Sequence, residues 1–315
     1  MHPTPPPRPE FGVDLITFYN PAFWGLSSEA ELNAYAAAKP EAVWEKILNG
    51  CAAAGISVLE ITFGAADWHS VLRAFGSAAA FKKELDSRGM RLKSGFFPSG
   101  SWDVELDRAQ IAESAASYAR FIREAGGDTL VASPPMRRTW NARPVRFNDF
   151  DALKTIADLA HVVGFAALEE GVQTALHTEA HSTFCTARDV DLLLTLTDPL
   201  YVGFCPDTGH LTLSGAEPSL VTSRHRDRVM LAHWKDATGP VPLRTEIDET
   251  IHDQHREYFR RVGAGSVDWF AWGRLMREMN VTELALLELD AVADPVAEMT
   301  AAREYVESAL STVYP

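Results

Sequence analysis

The stretch Tyr201–His210 reads Tyr-Val-Gly-Phe-Cys-Pro-Asp-Thr-Gly-His, and the interpretation of the whole chain depends on it. A short apolar run stops abruptly at an acid, a hydroxyl, a glycine and a histidine. An apolar run of this length, bounded by turn residues, is typical of a strand that is buried on both faces. Polar side chains at the carboxyl end of such a strand are where parallel barrels carry out their chemistry. Asp207 and His210 therefore need partners from other strand ends.

Apolar runs alternate with helical patterns along the chain. We predict eight strands at Phe11–Phe18, Ile56–Phe63, Met90–Phe97, Thr129–Ala132, Val172–His177, Tyr201–Cys205, Arg228–Trp234 and Glu283–Leu289. The predicted helices that follow them are Pro40–Ala54, Trp68–Arg88, Asp107–Ala125, Phe147–Glu170, Ala187–Leu196, Glu217–His225, Val267–Met279 and Pro295–Leu310. Strands that alternate with helices indicate a parallel α/β sheet. Eight such units in 315 residues predict a closed (β/α)8 TIM barrel, a fold that typically needs about 250 residues. No Gly-x-Gly-x-x-Gly follows the first strand, which argues against an open dinucleotide-binding sheet.

The domain organisation is simple. Residues 1–10 are rich in proline and predict an extended lead-in, whereas residues 11–315 predict a single barrel domain. The longest connection is a loop insertion after the seventh strand, Asp236–Ser266. A loop of this length in a compact domain is usually a lid or an interface.

Charge and composition exclude several classes of protein. The 29 basic and 43 acidic residues give a net charge of −14, which argues against a nucleic-acid or anionic-membrane partner. Three cysteines form no disulfide framework and are expected to be small buried side chains. No run approaches the roughly 18 apolar residues of a membrane helix, and no signal peptide is recognisable. We expect a cytoplasmic protein.

Polar side chains gather at the ends of four successive predicted strands. Strand five ends in His177, Glu179 and His181, strand seven in His233 and Lys235, and strand eight in Glu288 and Asp290. Each residue alone would be an ordinary solvated strand end, but their coincidence on one face of a barrel indicates a metal site. Carboxylate and imidazole ligands without thiolate suit a catalytic divalent cation. We expect Mn²⁺ in the first place, and otherwise Co²⁺, Mg²⁺ or Zn²⁺.

Aromatic side chains predict a substrate pocket on the same face. Trp24, Trp68, Trp102 and Trp140 each follow one of the first four strands. Their rings suit the apolar face of a sugar or an aglycone, although packing of the loops against each other explains them equally well. Glu60, at the end of strand two, is a candidate to bind a substrate hydroxyl, with a strand-edge ion pair as the alternative.

Four motifs together resemble the xylose-isomerase-like barrel superfamily, which contains sugar isomerases, keto-sugar 3-epimerases and inosose dehydratases. They are Asp207-Thr-Gly-His210, the His-x-Lys-Asp that begins at His233, the Glu-x-Asp that begins at Glu288, and Arg261–Asp268, which is similar to the family's Gly-x-Gly-x-x-Asp. The 26-residue step from Asp207 to His233 also fits the family spacing. The resemblance extends from Phe11 to Leu310.

The resemblance implies a divalent cation held by one Glu, one Asp, one His and a second Glu. Asp207, His233 and Glu288 match three of these positions directly. We assign Glu179 as the fourth ligand and His177 as the acid/base, and the reverse assignment stays open. Lys235 is the other candidate catalytic residue, and His210 and His181 are candidates for substrate binding.

The resemblance also implies an enzyme that removes a proton α to the carbonyl of a keto-sugar, keto-inositol or 3-keto-glycoside. A histidine in the strand-five motif is closer to the dehydratase pattern than to the epimerase pattern, so β-elimination is the preferred outcome. The alternative is a sugar isomerase or 3-epimerase, and a further one is a sugar-binding barrel that is inactive or needs a partner. A phosphodiesterase of the endonuclease-four type is disfavoured by the acidic charge. The partner is a small carbohydrate, and a homo-oligomer or a hetero-subunit is left open.

Overall fold

A ring of eight parallel strands forms the centre of the computed structural model, which describes residues 8–103, 105–138, 140–242, 244–279 and 284–314. The barrel strands are β1 (Glu10–Asp14), β2 (Val58–Ile61), β3 (Arg91–Phe97), β4 (Thr129–Ala132), β5 (Gln173–His177), β6 (Val202–Cys205), β7 (His233–Trp234) and β10 (Leu284–Leu287). They lie in the order β6-β5-β4-β3-β2-β1-β10-β7. Two parallel bridges, Phe204–Val229 and Asp207–His233, join the two ends of this order. The predicted TIM barrel is confirmed.

Helices surround the strands. The α-helices in the described residues are α1 (Pro21–Trp24), α2 (Glu29–Ala38), α3 (Pro40–Ala54), α4 (Trp68–Phe75), α5 (Ala78–Ser87), α6 (Arg108–Glu124), α7 (Phe150–Glu169), α8 (Ala187–Leu196), α9 (Thr208–Leu213), α10 (Pro218–Arg224), α11 (Ile251–Arg256), α12 (Trp269–Met279) and α13 (Pro295–Ala309). Short 3-10 turns occupy Leu15–Phe18, Gly64–Ala66, Ser99–Ser101 and Arg226–Arg228.

Most predicted elements are present, and the differences have local causes. The predicted helix Trp68–Arg88 is two helices, because Gly76 has a left-handed φ of 79° and Ser77 caps a new helix by accepting a hydrogen bond from the Ala80 N–H. The predicted strand Arg228–Trp234 shortens to β7. The connection between the first predicted strand and the helix Pro40–Ala54 contains α1 and α2. Glu283, the predicted start of the last strand, lies outside the described residues, as do residues 1–7 of the predicted lead-in.

Apolar side chains fill the interior of the barrel beneath its carboxyl end. They form a buried cluster of Val131, Ala175, Cys205, Leu231 and Leu286. This arrangement is the packed, layered interior that TIM barrels require. The three cysteines are free and buried, as predicted.

The long connection after β7 is structured. Residues 238–242 and 244–262 are here called the lid segment. The segment follows the short strand β8 (Asp236–Ala237) and contains α11 and the short strand β9 (Phe259–Arg260), which pairs with β8 in antiparallel orientation. It ends at the turn before α12. Asp236 fixes the base of the lid segment: its buried carboxylate accepts hydrogen bonds from the N–H groups of Gly263, Gly265 and Val267 and from Trp269 Nε1. The Gly-x-Gly pattern thus brings backbone donors to an aspartate on the neighbouring strand.

Among the helices of the described residues, none combines the length and the apolar character needed to cross a bilayer.

Candidate metal centre

Four side chains from four neighbouring strands converge at the carboxyl end of the barrel. This four-residue cluster consists of His177 at the end of β5, Asp207 just after β6, His233 at the start of β7 and Glu288 directly after β10. Each residue offers one nitrogen or oxygen, and these atoms all lie within 4.8 Å of one another. All four side chains are buried. Two imidazoles and two carboxylates are a donor set that suits a divalent cation.

The loop after β6 builds one side of this cluster. Asp207 Oδ1 accepts a hydrogen bond of 2.7 Å from the His210 N–H and so caps α9, which leaves Oδ2 for the cluster. Thr208 Oγ1 donates to the Lys235 carbonyl and accepts from the Lys235 N–H, which ties the loop to β7. A Cβ on Gly209 would lie 2.6 Å from Lys235 Cγ, so only glycine leaves room for that side chain. Each residue of the Asp-Thr-Gly-His motif therefore has a separate structural task.

His177 occupies the position that the sequence left open. Its Nε2 lies 3.6 Å from Asp207 Oδ2, and its Nδ1 lies 3.7 Å from Glu179 Oε2. Neither ring nitrogen of His177 nor Asp207 Oδ2 has a hydrogen-bond partner within the described part of the chain. Ligands bound at about 2.1 Å around a tetrahedral cation lie about 3.4 Å apart. The spacing therefore fits a shared cation better than direct contact.

The four-residue cluster contains His177 and not Glu179, so we propose His177 as the fourth ligand, the alternative that the sequence left open. Burial lowers the pKa of His177, against the opposing effect of Asp207. A neutral imidazole keeps a lone pair for a cation.

Glu60 stands behind His233 and orients it. Its Oε1 lies 2.9 Å from His233 Nε2, and its Oε2 accepts a hydrogen bond of 2.5 Å from Ser94 Oγ. A carboxylate behind a metal-binding histidine fixes the ring and its tautomer. Glu60 is fully buried and is not among the described residues that line the neighbouring cavity, and its contact with His233 agrees with the ion-pair alternative.

Lys235 is a buried cation beside the cluster. Its Nζ lies 2.5 Å from Glu288 Oε1, 2.8 Å from Asp290 Oδ1 and 3.2 Å from His210 Nε2. Burial disfavours the ammonium, but Asp290 and Glu288 outweigh it and raise the pKa of Lys235 well above its usual value. A permanently charged lysine cannot act as a base at neutral pH. Its contacts give it the task of positioning the two carboxylates.

Glu179 lies between the four-residue cluster and the lid segment. Its Oε1 lies 3.6 Å from His210 Nε2 and 3.7 Å from His252 Nδ1. Glu179, His252 and His255 form a second group whose ligand atoms lie within 4.8 Å of one another. Burial raises the pKa of Glu179 well above its usual value, and the nearby carboxylates of Asp290 and Glu288 act in the same direction, against Lys235.

A cavity of about 220 Å³ opens beside the cluster. We call it the central cavity, and its wall consists of Asp14, Ile16, Thr62, Phe63, Phe96, Pro98, Ser99, Ser133, Glu179, His210, His252, Arg256, Glu288 and Asp290. Four of the polar residues that the sequence places at strand ends border it: Glu179, His210, Glu288 and Asp290. His252 and Arg256 belong to the lid segment, which therefore forms part of the cavity wall.

Some residues of the wall escaped the sequence analysis for identifiable reasons. Asp14 was placed inside a longer predicted strand, whereas β1 ends at Asp14 and the side chain caps the 3-10 turn that follows. The strand-end rule would have selected Asp14 with the correct boundary. His252 and Arg256 carry no local signal beyond their place in a long loop.

The four tryptophans have packing roles, and none is among the described residues that line the central cavity. Trp24 Nε1 donates to the Phe18 carbonyl, and the buried Trp102 donates to the Ser133 carbonyl. Trp68 packs against Tyr118 and Phe121. Trp140 is 41% exposed, with Arg244 over its ring. These contacts agree with the loop-packing alternative for Trp24, Trp68 and Trp102, and substrate binding by Trp140 stays a prediction.

His181 is also absent from the wall of the central cavity. Its Nδ1 lies 2.8 Å from His255 Nε2, so it supports the lid segment from behind.

Two kinds of comparison place this chain among known proteins. It is 25% identical over 252 residues to an inosose dehydratase from Bacillus velezensis, an alignment that covers 75% of this chain and 82% of the relative. It is 27% identical over 252 residues to the inosose dehydratase of Lacticaseibacillus casei, covering 73% of this chain and 80% of that one. These matches confirm the prediction of an enzyme.

Solved structures share the fold at lower identity. A probable 3-DHS dehydratase, AsbF, from Bacillus anthracis superposes with a TM-score of 0.70 at 12% identity, covering 95% of this chain and 99% of that one. The IOLI protein, in a crystal structure with a bound zinc atom, has a TM-score of 0.68 at 15% identity and covers 97% of this chain and 98% of its own. The family described as xylose isomerase-like TIM barrel matches residues 48–309. The chain belongs to the xylose isomerase-like TIM barrel family.

Proposed function

We propose that this protein is a cation-dependent lyase that removes the proton next to the carbonyl of a keto-inositol, keto-sugar or 3-keto-glycoside and eliminates a β-oxygen substituent. The observation that carries the proposal is the four-residue cluster of His177, Asp207, His233 and Glu288, whose Glu288 borders the central cavity. The similarity to inosose dehydratases supports elimination as the outcome.

The cluster residues would hold the cation, and Glu60 and Lys235 would keep two of them in place. When bound, a divalent cation supplies Lewis acidity that stabilises negative charge on the carbonyl oxygen of the substrate. The mixed nitrogen and oxygen donors suit several divalent cations, and we propose Mn²⁺ as the first to test, followed by Co²⁺, Mg²⁺ and Zn²⁺.

Asp290 is the residue that we assign to proton transfer. It borders the central cavity, and its Oδ1 lies 2.8 Å from Lys235 Nζ. Burial raises the pKa of Asp290 to about 6, and Glu288 adds to the rise while Lys235 opposes it. A carboxyl with a pKa in this range can take a proton and return it near neutral pH. His177, the base predicted from the sequence, is not among the residues of the cavity wall.

One carboxyl group, that of Asp290, can both take up and return the proton in this reaction. Asp290 takes the proton from the α carbon, and the electrons of the broken C–H bond move onto the carbonyl oxygen. The electrons return to form a C=C bond, the C–O bond to the β substituent breaks, and protonated Asp290 gives its proton to the departing oxygen. The net change is loss of water or of an alcohol.

The rest of the cavity wall suits a single polyhydroxylated ring. His210 borders the cavity; its Nδ1 accepts a hydrogen bond of 3.0 Å from the Ala180 N–H, and its Nε2 lies 3.2 Å from Lys235 Nζ. Burial lowers the pKa of His210 well below its usual value, and Lys235 adds to this effect, which keeps the ring neutral. Phe63 and Phe96 add apolar surface to the same wall.

An isomerase or 3-epimerase is the second candidate function. The first step is the same, and the outcome differs only in which carbon or oxygen receives the proton. A barrel that is inactive, or active only with a partner subunit, would contain the same cluster, but the isolated chain would turn over no substrate. We expect the protein to act in the cytoplasm.

The test is incubation with Mn²⁺ and a panel of keto-inositols, 3-keto-glycosides and ketohexoses in D₂O. We expect a new C=C product from at least one substrate, and Glu288→Gln to abolish it. The matched control is Glu304→Gln on the exposed face of α13, which should retain activity. Deuterium exchange with epimer formation and no alkene would support the isomerase alternative. Absence of both reactions with every substrate would contradict the proposal.

A further inference from the structure

The lid segment brings two histidines to Glu179. His252 and His255 lie three residues apart on α11, a spacing that places both side chains on one face of a helix. Glu179 follows β5 and faces them from the barrel. Each of the three residues offers a ligand atom within 4.8 Å of the others. None of them belongs to the four-residue cluster.

The contacts within this group leave ligand atoms unused. His252 Nδ1 lies 3.7 Å from Glu179 Oε1, which is too long for a hydrogen bond. The distance is close to the separation of about 3.4 Å between two ligands of one tetrahedral cation. His255 is fully buried, and its Nδ1 has no hydrogen-bond partner in the described residues.

A hydrogen bond to His181 fixes the ring of His255. His181 Nδ1 faces His255 Nε2 at 2.8 Å. When neutral His181 carries its proton on Nε2, its Nδ1 accepts from the His255 Nε2–H. His255 Nδ1 then carries a lone pair, in the arrangement by which metal-binding histidines are oriented through their second nitrogen.

We propose that Glu179, His252 and His255 bind a second divalent cation, Zn²⁺ or Co²⁺, which fixes α11 over the mouth of the barrel. Two imidazoles and one carboxylate are the protein ligands of several zinc sites that keep further positions open. The proposal goes beyond the proposed lyase activity, which requires only the four-residue cluster.

Glu179 connects the two sites. Its Oε1 faces His252, whereas its Oε2 lies 3.7 Å from His177 Nδ1. A cation on the lid side therefore orients the carboxylate that stands behind His177. The site also closes the wall of the central cavity, because His252 and Glu179 both border it.

The test is the number of Zn²⁺ ions bound per chain, measured by calorimetric titration and by elemental analysis after dialysis. The wild-type chain should bind two. His252→Ala should bind one, and the fold should tolerate it because the His252 side chain is 54% exposed. Asp207→Asn, which retains a capping oxygen, should also bind one, and the double variant none. His69→Ala, which removes an exposed histidine on α4, is the control and should bind two.

The outcomes separate this site from the first. One ion in the wild-type chain that Asp207→Asn abolishes would overturn the second site while leaving the lyase proposal standing. A second ion that His252→Ala binds as well as wild type would be adventitious and would also overturn it.

A second readout follows the lid itself. A cation at ten times its Kd should reduce the open population of the lid segment, and hence tryptic cleavage at Arg256 or Arg260, about tenfold. The effect should appear in Asp207→Asn and be lost in His252→Ala. Equal protection in both variants would contradict a cation held by α11.

Discussion

Replacement of Asp236 by asparagine should detach the base of the lid segment. The Asp236 carboxylate is fully buried and accepts five hydrogen bonds. Oδ2 accepts from Gly263, Gly265 and Trp269 at 2.7–3.0 Å, and Oδ1 accepts from Ala237 and Val267 at 2.9–3.1 Å. An asparagine has one acceptor oxygen, so one side of the group would turn an NH₂ toward backbone donors.

The expected loss of stability is calculated for the orientation of the asparagine that leaves fewer buried donors unpaired. If the amide oxygen takes the Oδ2 position, two N–H groups, of Ala237 and Val267, are left facing a donor. A buried donor without a partner costs about 1–3 kcal/mol, so the loss of two partners should lower the free energy of unfolding by about 2–6 kcal/mol. The opposite orientation leaves three donors unpaired and costs more.

The assay is urea unfolding, in which the free energies of unfolding are compared for variants that show the same dependence on urea concentration (the m-value). Asp268→Asn is the matched control, since Asp268 is exposed and caps α12 through the Ala271 N–H, a position where asparagine serves as well as aspartate. Its stability should change by less than about 0.5 kcal/mol. An equal, small effect of both substitutions would refute the role given to Asp236.

Three further predictions concern the site. Glu60→Gln should keep the fold but weaken cation binding about 10–100-fold in a calorimetric titration, because His233 loses the carboxylate that orients it; unchanged affinity would contradict that role. Gly209→Ala should push the buried Lys235 side chain, costing about 1–3 kcal/mol of stability in thermal unfolding, and an unchanged Tm would show that the loop has room. Burial, with nearby His181 and His252, lowers the pKa of His255 to about 3; the folded chain therefore binds fewer protons than the unfolded chain between about pH 3 and 6.5. In EDTA the free energy of unfolding should fall by up to about 2 kcal/mol from pH 7 to 5. In His255→Asn this contribution to the pH dependence should be absent.

Strand alternation predicted the barrel and much of the cluster. Asp207, His233 and Glu288 were found because each follows or ends an apolar run, and the ends of parallel strands meet on one face. The same rule could not separate His177 from Glu179. Two residues two apart share a side of an ideal strand, and only the end of β5 at His177 determines which one enters the cluster.

The lid and the tryptophans could not be predicted in the same way. His252 reaches Glu179 only because the Asp236 contacts and the β8–β9 pair fold a long connection back over the barrel. Those are contacts between distant residues, and they leave no periodic pattern. The tryptophans follow the right strands, but a loop position does not determine the direction of a side chain: Trp102 turns inward to Ser133, whereas Trp140 is partly exposed.

The most direct test of the account is Mn²⁺ binding to variants in a His252→Ala background, where only the four-residue cluster should bind a cation. We predict one bound Mn²⁺ per chain, followed by EPR, and a loss of affinity of at least about 100-fold for His177→Gln. Glu179→Gln should still bind one ion with little change. A chain that keeps its Mn²⁺ after His177→Gln and loses it after Glu179→Gln would contradict the proposed cluster and restore the assignment preferred from the sequence.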